Sequence, residues 1–207
     1  GKMIAVGQSG NDFSLFRYNS NGSLDTSFDT DGIVTTNIAG FDIANDVIIQ
    51  PDGKIIAAGR SSDDISLARY NANGSLDPTF DTDGKVVADM GGFDDCFAAA
   101  LQPNGKIVAV GNVQGGGMAV ARFNPNGSLD TSFHGDGKLN TAVTGDDLAR
   151  AVAIQNDGKI VVGGSPSGGT VDFALTRFLG DPQKSFTNQN SINPPDRTAN
   201  SNPPGLP

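Results

Sequence analysis

Apolar residues along this chain come in short runs, each closed by Gly, Asn, Asp or Pro, a spacing that predicts strands and leaves no room for long helices. Four kinds of run recur in a fixed order. Run a is a brief apolar stretch, Lys54-Ile-Ile-Ala-Ala-Gly59, with equivalents at 2–7, 106–111 and 159–164. Run b alternates, as in Ser66-Leu-Ala-Arg-Tyr70, and returns at 14–18, 119–123 and 174–178. Run c, Gly84-Lys-Val-Val-Ala-Asp89, follows a long turn. Run d is rich in small residues, Cys96-Phe-Ala-Ala-Ala-Leu-Gln102, and is matched by 44–50 and 149–155.

Two independent anchors set the period. The segment from Asn19 to Phe28 returns as Asn71 to Phe80 and as Asn124 to Phe133. The Gly-Lys step at Gly1, Gly53, Gly105 and Gly158 recurs every 52 to 53 residues. The d-to-a link Gln50-Pro-Asp-Gly-Lys54 reads as a tight hairpin in which Gly supplies a positive φ. The expectation is an all-β fold of about 3.5 repeats, each the size of one four-stranded antiparallel β-propeller blade. A β-solenoid is the rival, but it needs no two hairpins per period. Counted as abcd, abcd, abcd, ab, the strands do not close a ring, so the expectation is part of a larger propeller, completed by other propeller strands or a larger assembly. Residues 1–184 carry the repeats; 185–207, dominated by Asn, Ser and Pro, read as a tail or linker.

The motifs Asp-Gly-Lys-Ile, then Leu-Ala-Arg-Tyr-Asn, then Gly-Ser-Leu-Asp-Thr-Ser-Phe resemble the bacterial delta-60 repeat over roughly residues 1 to 180. That resemblance implies a β-propeller in large secreted or surface proteins, hence an extracellular or cell-surface setting. It implies no reaction.

Charge narrows the partners. With 14 Lys plus Arg against 23 Asp plus Glu, the formal charge is -9, and without a basic cluster no nucleic-acid partner is expected. No run is long and apolar enough for a transmembrane segment. The single cysteine, Cys96, excludes an internal disulfide, and its alignment with Ala44 and Ala149 marks a small buried position.

Chemistry-bearing residues are few. Arg17, Arg69, Arg122 and Arg177 share one position of run b, on the same face as apolar neighbours. A half-buried guanidinium requires a carboxylate. Asp25, Asp77 and Asp130 each follow eight residues later, so one structural ion pair per unit is expected: Arg17 with Asp25, Arg69 with Asp77, Arg122 with Asp130. In the last unit Ser185 stands where the Asp is expected. The turns Asp29-Thr-Asp-Gly32 and Asp81-Thr-Asp-Gly84 echo part of a calcium loop but lack the later Glu of an EF-hand. No cofactor is therefore implied, with calcium the one cation such turns could admit. His134 replaces Asp29 and Asp81 and reads as a turn residue; a lone histidine offers no metal cluster and no triad. The Asn-Gly-Ser triplets at 21, 73 and 126 are turns before they are glycosylation sites.

No catalytic set is found, which favours a non-catalytic structural or binding scaffold for a protein or carbohydrate. The alternative, an enzyme with its centre at the propeller mouth, needs titratable groups converging from several units. The a–b and c–d links should emerge on one side and the b–c and d–a turns on the other. The first set varies from unit to unit, as recognition loops do. It also gathers Asp12, Asp42, Asp63, Asp64, Asp94, Asp95, Asp146, Asp147 and Asp172, a candidate acidic face for basic groups or a bound cation.

Overall fold

The computed structural model describes residues 1–141, 147–166 and 173–180, apart from the Pro166 side chain. Fourteen strands are found there. The first sheet joins β1 (Met3–Ser9), β2 (Asp12–Tyr18) and β3 (Ile33–Thr36). The second joins β4 (Asp42–Ile49), β5 (Ile55–Ser61), β6 (Asp64–Tyr70) and β7 (Lys85–Ala88), and the third β8 (Asp94–Leu101), β9 (Ile107–Val113), β10 (Met118–Phe123) and β11 (Lys138–Thr141). The last holds β12 (Asp147–Ile154), β13 (Ile160–Pro166) and β14 (Ala174–Phe178). All ladders are antiparallel, and the sheets are arranged like propeller blades.

The blades are out of phase with the chain-order count. Each complete sheet runs d-a-b-c, because run d leaves its own unit and opens the next sheet. The c–d link is thus a crossover between blades, not a hairpin. Run d is Ala-rich for this reason: β4, β8 and β12 pack against one another and against the preceding sheet's run a, where large side chains would hold the sheets apart. Runs a and b are covered on both faces. In β5 and β9 nearly every residue is buried, which explains continuous apolar runs instead of alternation.

Every inner strand carries a bulge at the same place, between Ala44 and Asp46, Cys96 and Ala98, and Ala149 and Ala151. Opposite each lies a glycine of run a. A Cβ on Gly59, Gly111 or Gly164 would stand 1.9, 1.7 or 1.8 Å from the carbonyl oxygen of Ile43, Asp95 or Leu148. Apolar clusters then fill the spaces between sheets, the largest uniting Ile56, Leu67, Phe80 and Val86 of the second sheet's unit with Cys96, Ile107 and Phe123 of the third.

A repeated latch ties neighbouring blades on the side of the b–c turns. Arg69 Nε donates to Asp77 Oδ2 at 2.7 Å and Lys54 Nζ donates to the same oxygen at 2.7 Å. The Arg69 guanidinium lies over the Phe80 ring, 4.5 Å from its centroid, and Nη1 crosses to the carbonyl of Pro125 in the next unit at 2.6 Å. Arg122 repeats this with Asp130, Lys106, Phe133 and the Gly180 carbonyl. Arg17 repeats it with Asp25, Lys2, Phe28 and the Ala72 carbonyl. The lysine of the Gly-Lys step was not anticipated as a third member, though its regular recurrence was the available signal. Arg177 is exposed, and position 185 lies outside the described residues.

Candidate acidic loop face

The a–b and c–d links meet on the side away from the latch. The Asp42 N–H donates to the Asn11 carbonyl at 2.8 Å, and the Asp94 N–H to the Asp63 carbonyl at 2.6 Å, so each crossover is pinned to the preceding a–b turn. The Ser62 and Gln114 N–H groups reach back to the Phe41 and Phe93 carbonyls at 2.8 and 2.7 Å.

Three of the acids expected on an exposed rim are not there. Asp42, Asp94 and Asp147 are fully buried, one at the start of each inner strand. For Asp42 and Asp94 the reason is local hydrogen bonding: the c–d crossover leaves backbone N–H groups without ladder partners, and these two aspartates accept them. Asp42 Oδ2 accepts from Ile38 N at 2.7 Å, and Asp94 Oδ2 from Met90 N at 2.6 Å. Asp146 and Asp172 lie outside the described residues.

The others stand at or near the surface. Asp63 is exposed, while Asp12 and Asp64 are half-buried. Asp12 Oδ1 accepts the Asn37 amide at 2.9 Å. Asp95 faces Arg60 at 3.4 Å, and the Arg60 guanidinium sits between the rings of Phe41 and Phe93, 5.6 and 4.6 Å from their centroids. Burial pushes the Asp95 carboxyl up, with Arg60 and Arg150 opposing the shift.

One acid escaped the sequence reading. Asp89 closes run c and is exposed, and it joins Asp64 and Asp94, one carboxylate oxygen of each lying within 4.8 Å of the others. The signal was the column it shares with Asn37, one unit earlier. Burial, then the charges of Asp64 and Asp89, push the Asp94 carboxyl up to about 6, despite the Met90 N–H. Burial and the neighbouring Asp89 and Asp63 also push up Asp64. The Asp-Thr-Asp-Gly turns gather no such group among the described residues; Asp31 and Asp83 accept the N–H two residues on instead.

The lone histidine, His134, is exposed in a turn with φ of 52°. Cys96 is buried in β8, and burial followed by the nearby Asp46 pushes its thiol up to about 12. Among the described residues, no helix is long and apolar enough to cross a membrane.

No curated protein matches the chain. A family profile described as "Domain of unknown function (DUF5122) beta-propeller" matches residues 1–28, 50–80, 102–133 and 155–181. The three earlier segments end on Phe28, Phe80 and Phe133 and so contain every Arg, Lys, Asp and Phe of the latch, whereas the c–d crossovers fall between matches. Repeated four times along four sheets of propeller blades, the match shows that the chain belongs to this β-propeller family.

Proposed function

We propose that this chain is a non-catalytic scaffold of a bacterial surface or secreted protein that docks a protein or carbohydrate partner on its a–b and c–d loop side. One observation carries the reading: the two sides are put to different uses. On the b–c side, one Arg, one Lys and one Asp of each of three units are tied into the same latch. On the other side, loop sequence changes from unit to unit, and exposed Asp63 follows Ser62, whose N–H holds the crossover that carries Phe41, itself 43% exposed. Variable loops on a rigid frame are where recognition resides.

The non-catalytic half of the reading is supported by the state of the two candidate nucleophile or base residues. A buried thiol held near 12 is protonated at neutral pH and unreactive. His134 stands in a turn that belongs to the repeat.

A screen of the full chain against glycans and surface proteins should yield a binder whose affinity falls with salt, since exposed carboxylates act through screened charge. The double variant Asp12→Asn, Asp63→Asn should weaken it, while changes at the exposed Asn21 and Asn73 turns should not. A partner that footprints on those turns and ignores the double variant would place the recognition face on the wrong side here.

A further inference from the structure

We propose that Asp64, Asp89 and Asp94 form a calcium site at the junction of the second and third sheets. Two equivalent junctions within one molecule differ at these positions. At the first, the corresponding residues are Asp12, Asn37 and Asp42, and their oxygens are matched by donors. The Asn37 amide donates to Asp12 at 2.9 Å, and the Ser61 hydroxyl, across the ladder from Asp42, donates to Asp42 Oδ1 at 2.6 Å.

At the second junction both donors are gone. Asp89 stands where Asn37 stood, replacing an amide with a third carboxylate. Val113 stands where Ser61 stood, across the ladder from Asp94. As a result Asp94 Oδ1 is buried without a hydrogen-bond partner, on a residue with no solvent exposure. An orphaned carboxylate oxygen in such a place is costly, and so are three acids within 4.8 Å of one another. One cation would answer both demands.

Lys138 is the positive group at hand, and it does not fill this role. Its Nζ donates to the Asp89 carbonyl at 2.9 Å, and it eases the charge on Asp94 without bonding it. Lys85 makes the same kind of contact to the Asn37 carbonyl at the first junction, where no acidic trio exists. The lysine therefore belongs to the repeated frame, and Asp63 adds further negative charge beside Asp64.

The ligand set selects a hard cation, since every donor is oxygen. Calcium takes about six to eight oxygens in flexible geometry, whereas magnesium demands a near-ideal octahedron and keeps most of its waters. The trio suits calcium, and exposed Asp89 leaves room for water to complete the shell. At the third junction Gly117 replaces the first of the acids, so the site belongs to one junction alone.

The full chain, stripped with a chelator, should bind one equivalent of calcium in titration calorimetry, with little response to magnesium, and its Tm should rise with added calcium. Asp89→Asn and Val113→Ser each copy the first junction and should fold. Asp89→Asn should weaken calcium binding at least tenfold and Val113→Ser severalfold, and both should melt above the unaltered chain when calcium is absent. Absence of calcium heat and of a Tm shift would overturn the site, as would an Asp89→Asn variant that binds like the original. Calcium binding and partner docking can fail separately: the double variant at Asp12 and Asp63 tests docking, and those residues are not calcium ligands.

Discussion

At the residue scale, the decisive group is the latch aspartate. Asp77 is buried, and burial alone would push its carboxyl up. Lys54, the Thr79 hydroxyl and N–H, and Arg69 outweigh that and hold it well below the usual carboxylate range. Asp130 is held at about 2 against the same burial, by Lys106, Ser132 and Arg122. Folded latches thus bind fewer protons than unfolded chain between pH 4 and 2. Their contribution is present above about pH 4 and is lost as pH falls through that window. Asp77→Ala should cost roughly 3–5 kcal/mol in urea unfolding at pH 7, because it strands a buried guanidinium. The penalty should shrink toward pH 2; a loss below about 1 kcal/mol at pH 7 would mean a pair exposed enough for water to replace it. The Arg and Asp were legible in the sequence because a charged residue on an apolar face demands a partner and the spacing supplied one. The lysine was not, because a residue after a turn glycine looks like surface.

At the element scale, the strands were legible and their grouping was not. Runs a to d correspond to real strands, and the Gln50–Lys54 hairpin joins β4 to β5, with the Gly53 N–H donating to the Gln50 carbonyl at 2.9 Å. The c–d link is of hairpin length, and length alone does not say whether a chain turns back or crosses to the next blade. That one ambiguity moved Asp42, Asp94 and Asp147 from an imagined rim to the buried foot of an inner strand. The bulge was also hidden, although the glycine column that permits it was in view. Gly111→Ala should disrupt the second-to-third junction, since the new Cβ meets the Asp95 carbonyl at 1.7 Å and only backbone movement relieves it. Gly163→Ala is the control. Its Cβ would find only Leu175 Cδ1 at 3.7 Å, and a less flexible unfolded chain should leave stability unchanged or slightly raised. Paired melts that lose several degrees for Gly111→Ala and none for Gly163→Ala bear this out; equal effects would show that the bulge yields freely.

At the scale of the whole molecule, sheets stacked only on their neighbours should not be equally stable. Repeat architectures sum local terms and neighbour interfaces, so an inner sheet gains from two interfaces. Among the described residues, no ladder joins the first sheet to the last. Exposure follows the same gradient. β5 and β9 are almost wholly buried, whereas β1 is largely half-buried or exposed. Phe173 is 80% exposed where its counterparts Phe13, Ile65 and Met118 are buried, and Leu175 is 52% exposed. The latch shows it too: the Arg122 side chain is 0% exposed and that of Arg17 11%. Amide hydrogen exchange on the chain by itself should therefore be graded, slowest in β5, β6, β9 and β10 and fastest in β1 and β14, with opening free energies falling toward both terminal sheets. An open arc of blades requires that gradient. Uniform protection across all four sheets would instead mean that the terminal sheets are covered in solution, by closure or by association, and a concentration series would separate the two.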